Sequence, residues 1–212
     1  MDLFENIDEQ NVRIAEGATW LRAYALQNEM HILADLNLIL SQSPLRHMVT
    51  PGGFSMSVAM TNCGDLGWVS DKKGYRYNAL DPSTGAPWQA MPVSFMQLAT
   101  QAAAVAGYIN FVPDACLINQ YQPAARMGLH QDKDELDFSQ PIVSVSLGCA
   151  ATFLFGGLKR SDKPSKIVLQ HGDIIVWGGK SRLNYHGIMP LKSSSHAAFG
   201  AYRYNLTFRK AV

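Results

Sequence analysis

The chain has 212 residues, 47% of them hydrophobic and 17% charged, which excludes a disordered polyelectrolyte and supplies apolar material for one domain-sized core. Lys and Arg total 18 against 17 Asp and Glu, so net charge does not single out a nucleic-acid binder. The distribution is uneven: residues 1–150 hold 8 basic and 15 acidic side chains, whereas 151–212 hold 10 basic and 2 acidic, leaving one end able to meet an anionic partner.

Cys63, Cys116 and Cys149 are widely spaced and form no CxxC pair, which argues against a disulfide framework or zinc knuckle and agrees with a reducing cytoplasm. The acidic start Met1–Glu5 lacks the basic stretch and apolar run of a secretory signal. Residues 138–158 carry no charge, but Pro141, Ser144, Ser146, Gly148, Thr152, Gly156 and Gly157 interrupt them. Two buried strands are expected there rather than a membrane span.

Taken in chain order, Met30, Leu33, Leu36 (or Asn37) and Leu40 predict an amphipathic helix over 27–42, stopped by Ser43 and Pro44. Phe54, Met56, Val58 and Met60 alternate with Ser55, Ser57, Ala59 and Thr61, the period of a half-buried strand. Residues 62–91, rich in Gly, Pro, Asp and aromatics, read as a long loop of the kind that forms a binding lid. A second helix is predicted over 92–106, with Phe95, Leu98, Ala102 and Val105 on its apolar side and Gly107 ending it. From residue 114 onward short strands follow, at 115–121, 142–147, 152–155, 166–169, 173–177 and 203–209. The expectation is a single mainly β domain over 1–212, an antiparallel sandwich or barrel with helices packed outside it.

The densest group of ligand-type residues runs from His130 to Glu135. His130 and Asp132 are two apart, so on an extended segment both leave on one face, and His186, beside a predicted strand, could join them by antiparallel pairing. Two imidazoles and one carboxylate suit non-haem Fe(II) and oxygen activation, although zinc hydrolases also use such a set.

The last predicted strand places Arg203, Asn205, Thr207 and Arg209 on one face and Tyr204, Leu206 and Phe208 on the other. An interior face with two arginines calls for an anion, because an unpaired buried guanidinium costs several kcal/mol, and its fork fits a carboxylate. Asn119 and Tyr121 share a face of the strand over 115–121 and could donate to the same acid.

Together Asn119-x-Tyr121, His130-x-Asp132, Tyr185-His186-Gly187 and the run from Arg203 to Arg209 closely resemble the AlkB family of Fe(II)- and 2-oxoglutarate-dependent dioxygenases. Thr50-Pro51-Gly52-Gly53, Ser57 to Gly64, Leu66-Gly67-Trp68 and Phe155 to Arg160 carry the resemblance over nearly the whole chain. It implies a double-stranded β-helix (jelly-roll) core over 114–212 with flanking helices and a nucleotide-recognition lid over roughly 45–91. His130, Asp132 and His186 would bind Fe(II), with 2-oxoglutarate and O2 as cosubstrates. Arg203, Asn205 and Tyr121 would hold the distal carboxylate, and Arg209 and Asn119 would assist at the metal-proximal end.

The implied activity is oxidative demethylation of bases such as 1-methyladenine and 3-methylcytosine in single-stranded or locally opened DNA, with RNA as a further substrate, releasing formaldehyde, succinate and CO2. Trp68 would stack on the flipped base opposite His130, and Tyr75, Tyr77 and Arg160 would contact the substrate backbone. Asp134 would face the base edge, with Glu135 beside it among the substrate residues. Met60 would line an adaptable pocket, although Met56 and Met60 suit core packing equally well, and Trp68 could plug the core beneath a lid. No membrane and no protein partner is implied. Against a β-barrel that merely binds metal stands the arginine pair, since such a barrel needs no dicarboxylate site.

Overall fold

The computed structural model describes residues 11–212, so the acidic start at Met1–Glu5 lies outside the described residues. In chain order the strands are β1 (Asn11–Ala15), β2 (Ala18–Leu21), β3 (Arg46–Val49), β4 (Ser55–Gly64), β5 (Gly67–Asp71), β6 (Gly74–Asn78), β7 (Ala115–Tyr121) and β8 (Met127–His130). They continue with β9 (Ile142–Gly148), β10 (Ala151–Phe155), β11 (Ser165–Leu169), β12 (Ile174–Trp177), β13 (His186–Ile188) and β14 (Arg203–Arg209). The helices are α1 (Glu29–Gln42) and α2 (Val93–Val105).

Eight strands form one sheet in the order β1-β2-β12-β9-β14-β7-β4-β3, four form a second in the order β11-β10-β13-β8, and β5 and β6 make a separate hairpin. Period-two alternation decides which side chains enter the space between the two larger sheets. Met60, Leu117, Tyr121, Ile175 and Trp177 from the large sheet meet Phe153, Phe155 and Ile188 from the small one in a single apolar cluster. Their neighbours Cys116, Ile118, Val143, Val145, Leu206 and Phe208 face the other way and pack against α1 and α2. This is the expected mainly β, double-stranded β-helix core with flanking helices. The uncharged stretch 138–158 resolves into β9 and β10, and no helix among the described residues is long and apolar enough to cross a membrane.

Several details depart from the sequence reading, among them the short strands β1, β2, β3, β8 and β13, which have no counterpart among the predicted ones. In α1 the buried stripe is Ile32, Leu36 and Ile39 with Leu33 and Leu40 packed at its edges, while Met30, about 200° around the helix from Ile32, is 81% exposed. Val105 at the end of α2 is likewise exposed, although Gly107, at φ +94°, follows the helix as expected. The segment expected as a long loop continues β4 to Gly64 and then turns back as the β5–β6 hairpin, with Asp71 opposite Gly74 and Trp68 opposite Tyr77. The three cysteines are buried and free.

Candidate active site

The small sheet brings the ligand residues together. β13 runs antiparallel to β8 with His186 directly opposite His130, and their rings lie 4.4 Å apart. Gly187 permits this approach, since a Cβ there would lie 2.7 Å from the Met127 carbonyl oxygen. Asp132 follows β8 with its carboxylate oxygens 3.6 Å from His130 Nε2 and 3.7 Å from His186 Nε2. The ligand atoms of the three residues all lie within 4.8 Å of one another.

Each histidine is fixed by the backbone two residues before it. His130 Nδ1 meets the Gly128 carbonyl at 2.9 Å and His186 Nδ1 meets that of Asn184 at 3.1 Å. A carbonyl only accepts, so both Nδ1 atoms carry the proton and both Nε2 lone pairs are left for a metal. Burial, with His130 beside it, lowers the His186 imidazole to about 4, so it is neutral at pH 7. Burial opposes ionisation of Asp132, yet the Arg209 guanidinium and the two imidazoles hold its carboxyl well below the usual carboxylate range. Two imidazoles that present Nε2 and one carboxylate, with no further ligand-type side chain in the group among the described residues, fit a divalent iron with open positions.

A cavity of about 470 Å³ opens on these residues, and Asn119, Tyr121, Arg203, Asn205 and Arg209 also line it. Arg203 is 1% exposed. One of its nitrogens, Nη2, donates to Ser146 Oγ at 2.9 Å, while Nε and Nη1 find no partner among the described residues. Its guanidinium carbon sits 4.9 Å from the centre of the Tyr121 ring, and burial lowers its pKa. Unpaired guanidinium donors inside a protein are costly, and an acid of the size of 2-oxoglutarate would satisfy them.

Asn205 is committed to the protein, donating to Ser144 Oγ at 2.8 Å and the Val145 carbonyl at 3.0 Å. Arg209 is committed likewise. Its Nη2 and Nε donate to Asp132 Oδ2 at 2.7 and 3.0 Å, so it grips the carboxylate of the His–Asp–His group.

The mouth of the cavity is aromatic. Trp68 stacks on Tyr75 with ring centres 5.5 Å apart, and both line the cavity together with Met60, Asp134 and Arg160. The buried side chain of Asn62 accepts from the Trp68 backbone N–H and donates to its carbonyl, each at 3.0 Å, so the platform is clipped at its backbone.

Two expected substrate residues are not brought to the cavity. Tyr77 donates its hydroxyl to Glu135 Oε1 at 2.6 Å, and the other oxygen of Glu135 accepts from Arg182 Nη2 at 2.9 Å. Glu135 is 5% exposed and faces arginines rather than the opening. The resemblance implied Glu135 as a substrate residue, but β8 ends at His130, so strand alternation does not carry Glu135 to the cavity. Asn62 and Arg182 escaped the sequence reading. Asn62 occupies a strand position whose neighbours are small or polar, and Arg182 stands alone in a short turn.

The fold, the His–Asp–His group and the buried, partly unpaired arginine fit a class, the non-haem oxygenases that use a 2-oxo acid. The description of the 2OG-Fe(II) oxygenase superfamily matches residues 17–209. The chain is 56% identical over 212 residues to the alpha-ketoglutarate-dependent dioxygenase AlkB of Salmonella typhimurium, covering 100% of this chain and 98% of that one. It is 55% identical over 211 residues to the enzyme of the same name from Escherichia coli, at the same coverage. A solved structure titled "The structure of OsALKBH1" superposes with a TM-score of 0.81 at 29% identity, covering 94% of this chain and 99% of that one. The chain belongs to the 2OG-Fe(II) oxygenase superfamily and, within it, to the AlkB dioxygenases.

Proposed function

We propose that this dioxygenase removes methyl groups from the pairing edge of bases such as 1-methyladenine and 3-methylcytosine in single-stranded or locally opened DNA, and in RNA, in the cytoplasm. One observation carries the reading. A buried arginine with two unpaired donors shares a single cavity with a His–Asp–His group and an aromatic platform at the mouth.

In this reading His130, Asp132 and His186 hold Fe(II), and Arg203 takes the distal carboxylate of 2-oxoglutarate beside Tyr121. Asn205 shapes that pocket through Ser144, and Asn119, whose Oδ1 has no partner among the described residues, faces the metal-proximal end. Bound iron, 2-oxoglutarate and O2 supply oxidation of the N-methyl group, after which the hydroxymethyl base releases formaldehyde.

The chain's own groups do the positioning. Trp68 and the His130 ring enclose the base, Asp134 meets its edge, Met60 adapts to its outline, and Tyr75 and Arg160 meet the strand at the rim. The region over 45–91 acts as the lid through the β5–β6 hairpin. Single strands are favoured because extruding a base from a duplex costs a few kcal/mol.

The test is incubation of iron-loaded protein with 2-oxoglutarate, ascorbate and a single-stranded 1-methyladenine oligonucleotide. The expected product is lighter by about 14 Da, one methylene unit. An oligonucleotide of unchanged mass alongside active 2-oxoglutarate consumption would reject the substrate assignment.

A further inference from the structure

Behind the metal carboxylate lies a buried group of two arginines and two acids. Arg209 donates twice to Asp132 and lies 3.5 Å from Glu135 Oε1. Arg182 is 3% exposed. Its Nη1 donates to the Asp132 carbonyl at 2.7 Å, its Nη2 to Glu135 at 2.9 Å and its Nε to the Gln140 carbonyl at 2.9 Å. Arg182 therefore fixes the backbone of Asp132 while Arg209 fixes its carboxylate, and Glu135 is the counter-ion both arginines share. The four charges cancel, which is what allows them to be buried together. Tyr77 closes the group from the hairpin side through its bond to Glu135.

We infer that Glu135 and Arg182 are positioning residues for the metal-binding carboxylate rather than substrate contacts. Without Glu135, two guanidinium groups share one carboxylate and draw Asp132 away from the histidines. Without the Arg182 fork, the Asp132 backbone loses the donor that orients it. Partners of this kind typically govern metal affinity by 10–100-fold. The inference rests on the reading of Asp132 as a metal ligand.

The experiment titrates the metal-free full chain with Mn(II), followed by electron paramagnetic resonance, without cosubstrate. The proteins are the parent, Asp132→Ala, Glu135→Gln, Arg182→Lys and Tyr77→Phe. A parallel series measures binding of a single-stranded 1-methyladenine oligonucleotide at saturating Mn(II). Glu135→Gln and Arg182→Lys are expected to weaken Mn(II) binding about tenfold or more, with oligonucleotide affinity within twofold of the parent.

Tyr77→Phe keeps every charge and should leave Mn(II) affinity within about twofold, while trypsin cuts faster at Lys72 and Lys73 on the hairpin tip. Parent-like Mn(II) affinity in Asp132→Ala would overturn the metal reading itself. Loss of metal in Asp132→Ala together with parent-like affinity in Glu135→Gln or Arg182→Lys would overturn the positioning role alone. Weakened oligonucleotide binding with unchanged metal affinity would return Glu135 to the substrate site. Should Arg182→Lys fail to melt cooperatively, Glu135→Gln, which preserves shape and removes one charge, decides the matter.

Discussion

Trp68 donates its indole N–H to Asp134 at 2.8 Å, which ties the aromatic platform at the cavity mouth to the acid two residues beyond Asp132. The first prediction follows from that bond. Asp134→Asn keeps an acceptor for the indole and removes only charge, so it should slow removal of methyl from the cationic bases 1-methyladenine and 3-methylcytosine and spare neutral 3-methylthymine. Asp134 is exposed, so the charge effect is screened to about 1 kcal/mol, or about fivefold. The check is the ratio of kcat/KM for 3-methylcytosine and 3-methylthymine in matched single strands, and an unchanged ratio means that Asp134 does not read lesion charge.

Arg203→Ala should raise the 2-oxoglutarate concentration needed for half-maximal succinate formation by orders of magnitude, since a buried charge-assisted pair is worth about 2–5 kcal/mol. Arg203→Lys should recover part of it, because a point charge cannot reproduce the planar fork over Tyr121. Saturation of Arg203→Ala at the parent's concentration would remove the dicarboxylate assignment.

Trp68→Ala should reduce oligonucleotide repair far more than uncoupled 2-oxoglutarate turnover, because base stacking is worth about 1–3 kcal/mol. Asn62→Ala should show the same split more weakly, since it frees the Trp68 backbone without removing the ring. Equal losses in both assays would make Trp68 a packing residue.

Acid should destabilise the metal-free protein in a defined window. His186 is lowered from 6.5 to about 4 by burial and by His130, so the unfolded state binds the proton more readily between those values. Stability is full above pH 6.5 and falls as pH drops toward 4, by up to about 3 kcal/mol. Thermal melts of metal-free parent at pH 7.5 and pH 4.5 measure this. A His186→Asn variant should show a smaller difference.

Much of this was legible in the residues because strand periodicity is a strong constraint. The alternation from Arg203 to Arg209 places arginines inward and Leu206 and Phe208 toward the helices, as found. His130, Asp132 and His186 were legible as a set because a metal site needs specific atoms. The hairpin was not legible, because five-residue strands broken by Lys72 and Lys73 and rich in glycine leave too little periodicity to separate them from a loop. Nor was the place of Glu135, which lies beyond the end of β8 where the two-residue period no longer says which way a side chain points, nor that of Tyr77, whose hydroxyl on β6 meets Glu135 only through the fold. Arg182 has no local pattern at all, and its role exists only through the three carbonyl and carboxylate oxygens that the fold gathers around it.

The most direct test of the central claim, that one cavity couples a 2-oxo acid at iron to a methylated base, is the stoichiometry of succinate formed to methyl groups removed. Iron-loaded protein with a limiting single-stranded 1-methyladenine oligonucleotide should give the two products one for one at early times, with neither formed by Asp132→Ala. Methyl removal that proceeds without 2-oxoglutarate, or in Asp132→Ala, would contradict the account.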